Sequence, residues 1–402
     1  DLSKYLFLPP ERLAWSSFLA RQRNTESYHD KVPMLRDVSS GDLGLGVLSM
    51  TSYDGLRVTA DSAYLSDVPS NLIIRTESPV ARNLFDRKKA IGVELTSGTQ
   101  YFATQETIIS TGAIDSPKIL LLSGIGPQDE LAELGIPVTS VRPGVGNNFK
   151  DKCMVYLKAN LQPGTVPSIS MNDVAGWQQQ WEEDRTGSMV VEPCRVATGY
   201  FKLDNLKTFA EFQQLDEQAK QLLMRPRTPM YEIAPVSEIN AMAGIFADPT
   251  TGGSFFRDAC HLDAPSINGK ISLRSSDPAA APIIQLDYLK NPYDRRVLVE
   301  STKKVIDFIY SSKIPAVEPI VGLTAICSKL PINRLAPQGT VKMGKLDDET
   351  ACLGSDFRVI GIENLRVADL SVVSVNLSNY TQAGAYVIGE IATQKLISTN
   401  GL

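Results

Sequence analysis

The hydrophobic pattern changes period several times along the chain. Ile108 and Ile109 open a short β-branched, apolar run. A glycine turn follows at Thr111-Gly112-Ala113, and Ile119, Leu120, Leu121 and Leu122 then form a continuous apolar block. The pattern predicts a strand, a turn and a helix. Ser116-Pro117 marks the predicted helix start, because proline at the first helical position gives up only an N–H that lacks a partner there. Ser123-Gly124-Ile125-Gly126-Pro127 ends it with residues that tolerate left-handed backbone or cannot continue a helix. Asp54-Gly55 reads as a hairpin turn, and residues 59–65 as the start of a helix. Residues 71–76 read as a strand, and residues 80–85 and 90–95 as a hairpin about Asp86-Arg87-Lys88-Lys89. Residues 210–224 place Phe212, Leu215, Ala219, Leu222 and Leu223 on one side of an amphipathic helix, and residues 383–397 form a closing helix. A strand, glycine turn and helix can bring backbone close to a dinucleotide, and it can equally be an ordinary core βα unit.

Composition narrows the class. With 402 residues there is room for two domains, and 43% hydrophobic with 21% charged residues describes an ordinary globular protein. A net charge of −5 argues against nucleic acid or an anionic membrane as partner. No apolar run approaches the roughly 18–20 residues that span a bilayer, and the first residues lack a signal-peptide layout. The five cysteines, Cys153, Cys194, Cys260, Cys327 and Cys352, are scattered and never form CxxC. That spacing predicts free thiols in a reducing compartment and favours the cytoplasm. His29 reads as solvated and His261 as structural; with only two histidines a His-rich metal site is excluded, and no metal is expected.

Several stretches together resemble one family. Gly112-Ala113-Ile114-Asp115-Ser116-Pro117-Lys118-Ile119-Leu120-Leu121-Leu122-Ser123-Gly124-Ile125-Gly126 matches every position of the second signature of the glucose–methanol–choline (GMC) oxidoreductases. Residues 143–152 (PGVGNNFKDK) resemble the family's PGVGxNLxDH, with Lys152 where His is usual. Residues 267–278, 338–344 and 365–372 resemble its SxGxVxLxSxDP, xGTxxMG and LRVADASV stretches. The resemblance covers about residues 42 to 398. It implies an α/β GMC-like fold: a dinucleotide-binding domain of the FAD type and a substrate domain built on an antiparallel sheet. The expected division is an arm or lid at 1–41, the first part of the FAD-type domain at 42–150, the substrate domain at 151–330, and the rest of the FAD-type domain at 331–402.

The resemblance also implies where chemistry should lie. In the family, Val80 would meet the adenine of FAD through its backbone, with Gly112, Ala113 and Asp369 also on the cofactor side. The phosphate-binding GxGxxG is not found; Gly41 to Gly46 has the wrong spacing, and the first family signature is absent. The first βαβ unit is therefore expected to be missing. The family's usual His falls on Ala336, and its second His or Asn falls on Tyr380. Alanine cannot move a proton. Tyrosine, with an ordinary pKa near 10, is a poor base but a usable donor. Both changes predict a truncated, divergent member that has lost FAD-dependent alcohol oxidation. It would act without cofactor on a small organic substrate, as a cyclase, isomerase or lyase. Tyr380 would be the acid, with Gln338, Asn379 and Gln382 as hydrogen-bonding neighbours. Two alternatives stay open: an FAD-dependent alcohol oxidoreductase needing a separate N-terminal piece, and a non-catalytic binding protein. An incomplete sheet exposes edges, which predicts self-association or a separate N-terminal chain as partner.

Overall fold

The computed structural model describes residues 35, 41–47, 51–160, 174–191, 197–236, 255–262, 269–311, 322–325, 337–378 and 380–401. They fall in two units, 1–73 with 154–262 and 295–329, and 74–153 with 263–294 and 330–402. Ala336, Asn379, His29 and nearly all of the expected arm lie outside the described residues.

The first unit holds a six-stranded sheet. Its order is Gly44–Val47, Ala197–Phe201, Tyr231–Val236, Phe255–Leu262, Cys153–Asn160 and Gly322–Ala325. The pairing is antiparallel where Tyr200 faces Glu232 and where Glu232 faces His261. Tyr231, Glu232 and Ile233 are consecutive and all buried. Successive side chains point to opposite faces, so both faces of this strand are covered. The turn at Asp54 and Gly55 has positive φ at both residues, 48° and 69°, as a tight hairpin of this type requires. Trp181, on the helix Val174–Asp184, donates its indole N–H to the Gly55 carbonyl at 2.9 Å. The single helix expected over 210–224 is two, Ala210–Gln213 and Glu217–Met224. Asp216 breaks it by accepting from the Ala219 amide, a bond that aspartate makes better at a helix start than inside one.

The second unit packs a helix against short parallel ladders. Leu365–Val367 lies parallel to Thr107–Ile109, and Ile125–Gly126 to Ser140–Val141. Val80–Asp86, Lys89–Leu95 and Gln100–Phe102 make an antiparallel sheet that includes the expected hairpin. The core gathers Ile119, Leu120, Leu121, Val341, Leu353 and Val367. Residues 71–76 are not a strand, and Ile73 is 74% exposed. Their β-branched pattern has no neighbouring ladder among the described residues, and a strand needs one.

The helix of this core, Gly112–Leu122, begins one turn earlier than Ser116-Pro117 suggested, with Pro117 inside it. An internal proline leaves the carbonyl four residues back without its helical donor. Here that carbonyl, on Ala113, accepts the Thr340 hydroxyl at 2.7 Å. Asp369 closes the helix start. Its Oδ2 accepts the Gly112 amide at 3.0 Å and the Ser116 hydroxyl, while Oδ1 accepts the Ser371 amide at 2.7 Å. A negative charge at a helix N-terminus is favourable.

A second clamp lies at the other end of the parallel pair. Arg366 is 1% exposed and donates to Glu106 and to the Asp356 carbonyl. Arg358 donates to the same carboxylate at 2.7 Å. The Arg366 hydrogen bond, then that of Arg358 and the charge of both, outweigh burial and hold the Glu106 carboxyl down at about 2. The expectation of free cysteines needs correction. Cys352 is a buried free thiol, pushed up to about 12 by burial, but Cys153 is disulfide-bonded. Pairing follows Cβ proximity in the fold, which sequence spacing does not reveal. Among the described residues no helix is long and apolar enough to cross a membrane.

Two outcomes follow for stability. Because folding lowers the Glu106 pKa from 4.5 to about 2, its contribution is complete above pH 4.5 and is lost as pH falls towards 2. Glu106→Gln leaves the Arg366 cation buried, so urea unfolding at pH 7 should show a loss of about 3–5 kcal/mol. The difference from wild type should shrink through that acid window. Thr340→Val leaves the Ala113 carbonyl without its donor and should cost about 1–3 kcal/mol in the same assay.

Candidate functional site

Three segments of the second unit converge. Residues 148–150 pair with 338–339: the Lys150 amide donates to the Gln338 carbonyl at 2.9 Å, and the Gln338 amide returns the bond at 3.0 Å. The Asn148 side chain adds a bond to the Gly339 carbonyl at 3.0 Å. Gly339 has φ +89°, and a Cβ there would lie 2.7 Å from the Asn148 carbonyl oxygen, so no other residue fits. The third segment is tied by the buried Gln338 side chain. Its amide donates to Asn376 Oδ1, and its oxygen accepts the Leu377 amide at 3.2 Å. Three residues after Leu377, Tyr380 precedes the helix Thr381–Asn400 and is 44% exposed. The Lys152 ammonium lies 6.0 Å from the centre of the Tyr380 ring.

Charge is concentrated at the first segment. Lys150, Asp151 and Lys152 are all buried. Burial, and secondarily the nearby Lys342, push the Lys150 amine below its ordinary value, against the opposing pull of Asp294. Asp151 Oδ1 accepts the Lys152 amide at 2.8 Å, and Oδ2 accepts the Tyr288 hydroxyl at 3.0 Å. Burial first, then the Asp151 charge, raise the Tyr288 pKa, so its hydroxyl keeps its proton and donates.

The structure places the expected residues in two groups. Tyr380 and Gln338 stand at the convergence; Gln338 uses both ends of its side chain internally, so it positions the loop that carries Tyr380. Gln382 is exposed on the first helical turn. Gly112, Ala113 and Asp369 form the helix clamp, and Val80 is half-buried at the start of its strand. Sequence reading missed the burial of Lys150 and Lys152. Lys-Asp-Lys reads as a solvated charge run, and the only signal was Lys152 in place of the family's His.

FAD needs a cradle for its pyrophosphate. Gly112 has φ +84° and open space where a Cβ would stand, so backbone is accessible there. Its amide is already bonded to the Asp369 carboxylate, however, and a second anion at that helix start would be repelled. This turn does not fit the phosphates of FAD.

The N-terminal and C-terminal sequence patterns of the GMC oxidoreductases match residues 29–154 and 265–389. The GMC-type oxidoreductase acuG of Aspergillus aculeatus is 32% identical over 392 residues, covering 89% of this chain and 68% of that protein. Mitochondrial choline dehydrogenase of Homo sapiens is 30% identical over 371 residues, covering 87% of this chain but only 58% of the enzyme. An FAD-dependent oxidoreductase from Chaetomium thermophilum shares the mixed α/β fold, with a TM-score of 0.74, 22% identity, and coverage of 99% of this chain and 73% of that one. These relatives are oxidoreductases. The flavin-free cyclase, isomerase or lyase suggested by Ala336 and Tyr380 has no counterpart among them, and nothing in the matches shows catalytic divergence. The redox alternative is the one they favour. On the match of both patterns and of a relative 32% identical along 89% of this chain and 68% of its own length, the chain belongs to the GMC oxidoreductase family.

Proposed function

We propose that this chain belongs to an FAD-dependent oxidoreductase that oxidises a CH–OH group of a small organic molecule. The observation that supports it most is the convergence of residues 148–152, 338–339 and 376–377, with Lys152 6.0 Å from the Tyr380 ring, in a chain whose relatives are oxidoreductases. Bound FAD would supply the acceptor for the hydride of the alcohol carbon, and the hydroxyl proton would leave to water. The chain's own part is to hold the alcohol. Tyr380 presents a hydroxyl that bonds the substrate oxygen, Gln338 fixes the loop behind it, and Asn379 and Gln382 flank it in sequence. The phosphate cradle comes from polypeptide outside this chain. That polypeptide also covers an edge of the parallel pair Thr107–Ile109 and Leu365–Val367, which is two-stranded among the described residues.

Protein purified from its native source should carry flavin absorbance bands that co-elute with this chain. A colourless protein that stays colourless after FAD is added would sink the reading. In the flavin-loaded enzyme, Tyr380→Phe keeps the ring and removes the hydroxyl. It should lower kcat by about 100-fold, the lower end for loss of one hydrogen bond to a developing oxyanion, with KM little changed. A wild-type kcat in this variant would remove Tyr380 from the chemistry.

A further inference from the structure

We propose that residues 71–76 are a latent strand, completed by main-chain pairing with a βαβ unit that carries the phosphate-binding glycine turn. The unit's role rests on the oxidoreductase reading; the docking rests on this chain's own residues. Asn71-Leu72-Ile73-Ile74-Arg75-Thr76 has the composition of a strand. Yet Leu72, Ile73 and Ile74 are 45%, 74% and 53% exposed. Among the described residues, Ile73, Ile74 and Arg75 make no backbone hydrogen bond. Large apolar side chains on unpaired backbone are a template for pairing with another polypeptide.

The pattern also says what kind of partner fits. In extended backbone, Leu72 and Ile74 point to one face and Ile73 to the other. The strand is therefore apolar on both faces. Such a strand belongs inside a parallel sheet, where crossover helices cover both sides. A second copy of this chain would answer the backbone alone, because two such segments side by side leave both faces of the ribbon in water. A βαβ unit supplies a parallel strand and a covering helix together, and it is the unit that carries a GxGxxG turn. The matched relatives extend beyond the part that this chain covers, which leaves length for it.

Features on either side prepare the segment. Upstream, the helix Ala60–Tyr64 has a capping box between Thr59 and Ser62 but buries none of its five residues. So short a helix has little stability of its own. Leu65 and Val68 after it are also exposed, so exposed apolar residues recur from Tyr64 to Ile74. Downstream, the Arg75 guanidinium lies 5.0 Å from the centre of the Tyr101 ring. That contact anchors one end of the segment and lowers the ordering that pairing costs.

Hydrogen exchange, read by mass spectrometry on the protein from its native source, tests the pairing. The amides of Ile73, Ile74 and Arg75 should exchange about 100-fold or more slowly than in an unstructured peptide, as in a paired strand. Leu346 and Asp347, in an exposed turn, should stay unprotected. Photoreactive p-benzoylphenylalanine in place of Ile73, incorporated in the native host, should cross-link to a peptide of the unit bearing GxGxxG. Free exchange at residues 73–75 overturns the proposal, and so does a cross-link to a second copy of this chain or to nothing. Should that variant fail to fold by circular dichroism, the same group in place of Leu72 is read in the same way. Flavin absorbance keeps the two readings apart. A yellow protein with free exchange at residues 73–75 keeps the oxidoreductase and overturns the docking. A colourless one, protected there and cross-linked to the βαβ unit, does the reverse.

Discussion

A carboxylate at the head of a helix fixes the register of the second unit. Asp369 reaches the Gly112 amide across 257 residues of sequence, and on its other oxygen it starts the short turn Leu370–Val372. That turn carries the backbone of the site. Gly339 donates to Leu370, Val341 to Ser371 and Met343 to Val372. Gln338, one residue before this ladder, then grips Asn376 and Leu377. The position of the loop leading to Tyr380 is thus inherited, bond by bond, from a helix more than two hundred residues earlier. Thr340 contributes to both ends of this chain of contacts, since its hydroxyl completes the proline-broken turn of the same helix.

Much of this was legible in the sequence, and the failures have physical causes. The glycine turn, the apolar block 119–122 and the hairpin over 80–95 were readable because local periodicity and turn chemistry agree with the fold. The helix start was misplaced because Pro117 is usually a first-turn residue. Only the distant Thr340 makes it tolerable four residues further in, and no local pattern contains Thr340. The predicted strand at 71–76 failed because a strand is defined by its neighbour, whereas propensity is a property of one segment. The cysteines misled for the same reason: proximity, not spacing, decides who pairs. Motif resemblance singled out Gln338 and Tyr380 as candidates, but nothing local says that Lys150 and Lys152 are buried.

The same clamp bears on cofactor chemistry. A helix N-terminus preceded by a glycine turn is an anion site by construction. In this chain the anion is Asp369, a part of the fold. The dinucleotide-like layout at residues 107–122 is real, yet its electrostatic capacity is spent on holding two distant parts of the unit together. Resemblance of a strand–turn–helix to a phosphate site is therefore weaker evidence than the identity of the group that already sits at the helix start.

Two ways of burying a cation stand side by side in this unit. Arg366 is answered in full: a carboxylate takes two of its nitrogens, a carbonyl takes a third, and Arg358 shares the load on Glu106. Each nitrogen of its planar fork has a partner. Lys150 and Lys152 are compact point charges on flexible stems, flanking a carboxylate that is committed to a backbone amide and a tyrosine. The contrast is between a planar fork that holds several partners at once and a point charge whose own ionisation burial opposes, as at Lys150. Of the point charges, the Lys152 ammonium lies 6.0 Å from the centre of the Tyr380 ring.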